Sequence, residues 1–272
     1  MPLTTTAAQH LITAGYIHVV VATVWFWDAL TSFSEEVEAF RVVGHRMTLP
    51  DVIYILSRTA SGGMILSDLL FTVMPHSNCN VTTQVVAWFG VFATPLNTLL
   101  FLIRADAVFN QCAKSRIAFG LLWLSTFATI TSPFSFTGFH VEHTRYCALE
   151  KVKQYCAAGT ITVAIFDTVV FLSIAYKIAS FSRLDTRDSW SKFFMKGTGE
   201  VSSSLLLTGQ LYYFPVITLN TLAIAVLLTP SVSPQYQGVV IVADVVFQNM
   251  MLLATQIKLD LTMATIWLSR RL

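Results

Sequence analysis

The chain has 272 residues, of which 54% are hydrophobic and only 12% are Asp, Glu, Lys or Arg. An ordinary soluble domain carries about 25% charged residues. With 17 basic and 15 acidic residues and a mean hydropathy of +0.64, the composition excludes a soluble globular enzyme, a disordered chain and a nucleic-acid binder with a basic face.

A helix crossing the hydrocarbon needs about 20 mostly apolar residues. Seven stretches meet that length: His10 to Thr31, Pro50 to Val73, Val81 to Ile103, Ile117 to Phe134, Ala157 to Ala179, Ser203 to Leu228 and Gly238 to Ile257. Their continuity argues against the short alternating strands of a membrane barrel. The expectation is an all-α polytopic membrane protein, one transmembrane domain of seven spans over residues 1–272. The first ionised residue is Asp28, so the opening lacks the basic segment of a secretory leader and reads as a retained span.

The Lys/Arg bias sets the orientation. One set of loops holds twelve basic residues: Arg41, Arg46, Arg104, Lys114, Arg116, Lys177, Arg183, Arg187, Lys192, Lys196, Arg270 and Arg271. The other holds three, Arg145, Lys151 and Lys153. The reading places the N-terminus outside and the C-terminus in the cytoplasm. Residues 259–272, with Trp267 and the terminal arginines, continue the last helix or turn along the inner interface as an amphipathic tail. The inner loops mix charges and can meet anionic lipid or a cytoplasmic protein partner.

Cysteines sort by side. Cys79, Cys147 and Cys156 fall outside, where disulfides persist, and Cys112 falls inside. Three pairings of the outer cysteines are open, and sequence does not choose among them. His140 and His143 lie near them without a tetrahedral ligand spacing, so no metal or other cofactor is expected. Asn80-Val81-Thr82 fits the glycosylation pattern, close against the membrane. These features fit the plasma membrane or another membrane of the secretory pathway.

Ionisable residues inside a span are costly and face the bundle interior or a cavity. A rise of about 1.5 Å per residue places Asp68 in the outer half of span 2, Asp167 near the middle of span 5, and Asp244 in the outer half of span 7. Gln248 follows Asp244 by one turn. Arg58 sits at a depth similar to Asn97, and Gln210 and Asn220 add polar groups to span 6. The expectation is three candidate catalytic or ligand-binding carboxylates converging on one outward-opening pocket, with an Arg58–Asn97 layer beneath. Interhelical bonding is the alternative use of the same groups. Arg104 and Asp106 close span 3 and form a candidate switch at the inner face, or a snorkelling anchor. Lys258 lies at the inner end of span 7, too far from mid-membrane for a retinal Schiff base.

Particular segments resemble a family. Asp28-Ala29-Leu30-Thr31 with Glu36-Val37, then Leu49-Pro50-Asp51-Val52-Ile53-Tyr54-Ile55-Leu56-Ser57-Arg58, then Cys79 and Leu102-Ile103-Arg104-Ala105-Asp106-Ala107-Val108-Phe109 are similar to motifs of a group of fungal, mostly basidiomycete, multi-span membrane proteins. That group shares an N-terminal domain of unknown function. Phe40 stands where the group commonly has Trp, Thr59 where it has Tyr and Asp106 where it has an aromatic residue. Gln210-Leu211-Tyr212-Tyr213-Phe214, Asn220 and Gln256 resemble its later part more loosely. The resemblance implies a seven-helix membrane protein and no established activity.

Two uses are compatible with these residues. One is a receptor-like sensor or signalling scaffold taking a small lipophilic ligand. The other is a membrane enzyme of the lipid or terpenoid cyclase type, in which a protonated carboxyl in an apolar cavity starts the chemistry. A structural membrane protein acting through helix contacts is a third reading.

Overall fold

The computed structural model describes residues 5–42, 49–109, 113–141, 144–183 and 215–269. They form seven α-helices and a small hairpin: α1 (Thr5–Val42), α2 (Leu49–Val73), α3 (Cys79–Val108), α4 (Ala113–Ser125), β1 (Phe136–His140), β2 (Cys147–Val152), α5 (Cys156–Arg183), α6 (Pro215–Leu228) and α7 (Pro234–Ser269). The backbone of α7 runs unbroken to Ser269, so the tail from Leu259 continues the last helix.

The helices bury polar groups and expose apolar ones. On α5, Ile165, Val169, Leu172 and Tyr176 follow helical spacing and are 49%, 39%, 58% and 76% exposed. Phe166, Asp167 and Val170, on the opposite face, are 0%, 3% and 1% exposed. A soluble protein seldom leaves so continuous an apolar stripe facing water. Among the described residues, four segments are long and apolar enough to cross a membrane: Ala8–Ser34, Cys79–Ile103, Ala113–Phe134 and Cys156–Lys177. The α2 helix has 25 residues but carries Asp51, Arg58 and Asp68 in its sequence.

Lipid tails are as apolar as leucine, so helix association in a bilayer rests on close packing and polar bonds between helices. One core joins α1, α2, α3 and α7 through Ala22, Met64, Ile65, Ala93, Val242, Val245 and Val246. A second joins α3, α4 and α5 through Ala105, Phe119, Phe166 and Val170. The indole Nε1 of Trp123 donates to the carbonyl of Pro95 at 3.0 Å, tying α4 to the interior of α3.

One expectation needs correction. The fourth span is not a uniform α-helix: after Ser125 it tightens into a nine-residue 3-10 helix, Thr126–Phe134. Hydroxyls of Ser125, Thr126, Thr129 and Thr131 each donate to the carbonyl three residues earlier, at 2.6–3.0 Å. Pro133 has no N–H to continue an α-helix. The described residues are mostly helical, with one small addition. The segment after Ser135 forms an antiparallel hairpin, β1 with β2, with an irregularity between Thr137 and Gly138.

The hairpin lies across the end of the bundle where α3, α5 and α7 begin. Its Gly138 packs on the first turn of α3. A Cβ there would stand 2.6 Å from Thr83 Oγ1 and 3.0 Å from the Cys79 carbonyl oxygen. Gln235, at the start of α7, pairs with the backbone of Leu149 in β2 as a neighbouring strand would. Its Nε2 donates to the Leu149 carbonyl at 2.9 Å, and its Oε1 accepts from the Leu149 N–H at 3.4 Å.

Candidate functional site

Beneath the hairpin lies a cavity of about 90 Å³. One water needs roughly 10–15 Å³ by this kind of measure, so the space holds several waters or a small organic group. Phe136 and Leu149 of the hairpin, Met64 and Phe71 of α2, Val163 of α5 and Val242 of α7 give it an apolar wall. Two carboxylates interrupt that wall, Asp68 from α2 and Asp244 from α7. Thr83 and Thr94 also face it, with their hydroxyls donating back along α3 at 2.8 and 3.0 Å.

The two carboxylates differ in their partners. Asp68 Oδ2 lies 2.5 Å from His18 Nδ1 of α1, and both side chains are 10% exposed. Asp244 is 6% exposed, and its Oδ1 has no hydrogen-bond partner among the described residues. Burying such a group without a partner costs free energy comparable to a lost hydrogen bond or more.

The third expected carboxylate is not on the cavity wall. Asp167 Oδ2 accepts from Asn220 Nδ2 of α6 at 3.3 Å and from Gln248 Nε2 of α7 at 3.5 Å. Its other oxygen, Oδ1, is buried without a partner among the described residues, as is Asn220 Oδ1. The pocket of three carboxylates therefore resolves into two on the wall and one bound into an amide cluster beside it.

The Arg58–Asn97 layer is also corrected. Arg58 Nη1 donates to the Tyr54 hydroxyl one turn earlier, at 2.8 Å. Asn97 instead joins Ser57 and Asn249. The Ser57 hydroxyl donates to Asn97 Oδ1, and Asn249 Nδ2 donates to Ser57 Oγ at 2.9 Å and to Asn97 Oδ1 at 3.1 Å. Asn97 Nδ2 reaches the Val245 carbonyl at 3.5 Å. This fully buried knot joins α2, α3 and α7.

Asp106 of the expected switch has a partner on the next helix. Arg116 of α4 holds it with two bonds, Nε to Oδ1 at 3.1 Å and Nη2 to Oδ2 at 2.9 Å. The side chain of Arg104 lies outside the described residues, as do those of Gln210, Gln256 and Lys258 and the whole of Cys112 and His143.

Of the three cysteines whose pairing was open, Cys79 and Cys147 are disulfide-bonded, and Cys156 is free and buried. His140 Nδ1 lies 3.3 Å from Cys79 Sγ. The sulfurs and that nitrogen all fall within 4.8 Å of one another, but a disulfide leaves neither sulfur as a thiolate ligand. Asn80 is exposed beside this bridge.

Several residues of the site escaped the sequence reading. His18 and Asn249 are polar groups inside apolar stretches, and the rule that singled out Asp68 applies equally to them. Ser57 and Gln235 carried no such signal.

The family described as "Family of unknown function (DUF6533)" matches residues 16–61, which run from α1 into the first half of α2. That stretch includes His18, Ser57 and Arg58 and ends before Asp68. No curated protein matches the chain. Over residues 16–61 the chain is thus similar to a family whose function is unknown.

Proposed function

We propose that the chain is a seven-span membrane protein, N-terminus outside and C-terminus cytoplasmic, that binds a small lipophilic ligand in the cavity under the hairpin. In this reading it is a receptor-like sensor of the plasma membrane or another secretory-pathway membrane. The observation that carries the proposal is that Asp68 and Asp244, from two different helices, interrupt one mostly apolar cavity wall. Ligand pockets combine mostly apolar linings with a few convergent polar groups. Supporting the orientation is the distribution of basic residues, twelve against three. The hairpin, the disulfide and the cavity would then face the exterior, and the basic loops would meet the cytoplasm or a protein partner there.

A second reading has its own observation. Asp244 presents an oxygen without a partner among the described residues on a mostly apolar wall, the setting in which a carboxyl can act as a general acid. An enzyme of the lipid or terpenoid cyclase type would use it so. Comparison of lipids and small metabolites in cells with and without the protein separates the two. A sensor leaves the profile unchanged while cellular responses change, whereas an enzyme adds or removes a molecule. If neither changes, and Asp244→Asn behaves as wild type, the cavity has no function of either kind.

A further inference from the structure

We propose that Cys79, Cys147 and His140 become a zinc site once the disulfide is reduced, so that the metal then fastens the hairpin to α3. The two sulfurs and His140 Nδ1 all lie within 4.8 Å of one another. Cys79 opens α3, and His140 and Cys147 stand directly opposite each other across the β1–β2 ladder. A tetrahedral zinc ion sits about 2.3 Å from sulfur and about 2.0 Å from nitrogen, which sets its ligand atoms roughly 3.5–3.8 Å apart. Once the sulfurs part, side-chain rotation reaches that spacing with the backbone in place.

His140 is oriented as a ligand. Its Nε2 lies 3.3 Å from the Ser77 carbonyl oxygen and its Nδ1 3.3 Å from Cys79 Sγ. A neutral imidazole carries one N–H. The carbonyl only accepts, and accepts far better than a disulfide sulfur, so the proton belongs on Nε2 and the Nδ1 lone pair faces the sulfurs. Metal-bound histidines commonly donate their other N–H in this way. Two thiolates and an imidazole suit zinc and disfavour magnesium or calcium. Cys79 and Cys147 are buried while His140 is exposed, so water has access to the fourth position. The chemistry balances. A dithiol reductant closes into its own disulfide and leaves Cys79 and Cys147 as two thiols, and zinc displaces their two protons to water. The inference rests on the hairpin and α3 alone and is independent of what the cavity binds.

The test uses the purified full-length protein in detergent, carrying Cys112→Ser and Cys156→Ser so that Cys79 and Cys147 are the only cysteines. The protein is reduced with a phosphine, exchanged into oxygen-free buffer with zinc or cobalt(II), and freed of unbound metal. The proposal expects one zinc per reduced chain and none on the oxidised chain. The cobalt form should show the intense visible bands of a tetrahedral site together with thiolate-to-cobalt charge transfer. His140→Ala should weaken zinc binding more than roughly tenfold, since even an outer hydrogen-bond partner of a ligand is worth that much. A reduced chain without zinc overturns the proposal, as does equal affinity in His140→Ala. Should His140→Ala fail to fold, the cobalt spectrum of the parent protein decides: tetrahedral bands with thiolate charge transfer support the site, and an octahedral spectrum without them refutes it.

Discussion

Cys79 in the first turn of α3 is bonded to Cys147 at the start of β2, with Cα atoms 5.4 Å apart. The bond closes a loop whose ends are 68 residues apart in sequence and pins the hairpin over the cavity. Disulfides closing loops of this order contribute about 2–4 kcal/mol, largely by restricting the unfolded chain. Cys147→Ser should therefore lower the unfolding midpoint, and free Cys79 should become alkylatable. An unchanged midpoint with an unreactive Cys79 would show that the bond does not form in the mature protein.

Gly138 and Gly159 let backbone approach where a side chain would collide. A Cβ on Gly159 would lie 3.0 Å from Thr129 Cα and 3.2 Å from its backbone nitrogen, where α5 crosses the 3-10 helix. Overpacking of this kind costs about 1–3 kcal/mol. Gly159→Val and Gly138→Val should both destabilise the protein in thermal or denaturant unfolding, whereas Gly120→Ala, with nothing within 4 Å, should not.

The Ser57–Asn97–Asn249 knot makes a different prediction. Asn97 accepts from both partners, so Asn97→Ala strands two buried donors, at about 1–3 kcal/mol. Ser57→Ala should cost less, because Asn249 retains Asn97. The double variant should cost less than the sum, as expected for groups sharing one network. Strict additivity of the measured stabilities would show that the three do not act as a unit.

The proposed orientation predicts which loops a glycosylating enzyme can reach. An Asn-x-Thr acceptor inserted at Thr144, which is exposed in the hairpin turn, should be modified in cells. The same acceptor inserted within residues 184–200 should not. The reverse pattern would invert the topology.

Much of the fold was legible because apolar runs of helical length are a strong signal, and helices occupy the described parts of all seven. The hairpin was not legible. Residues 135–155 mix Gly138, His140, His143, Arg145 and Lys151 with short apolar stretches and read as a loop between spans, whereas Cys147 and Gln235 hold the strands in place. The candidate site was legible in height but not in azimuth. Counting residues along a helix places Asp167 at a depth, but only packing decides that it faces Asn220 rather than the cavity. For the same reason Asn97 and Arg58, at similar depth, have different partners. Disulfide choice likewise depends on which chain segments meet, so Cys156 could not be set aside from sequence.

The most direct measurement is native mass spectrometry of the full-length protein extracted from its own membrane, comparing wild type with Val163→Trp and Asp244→Asn. Val163 lines the cavity from α5, and an indole there fills much of its volume. The account predicts a small-molecule adduct on the wild type that is lost in Val163→Trp and weakened in Asp244→Asn. A wild type without any adduct, or the same adduct on all three proteins, would contradict a ligand-binding cavity.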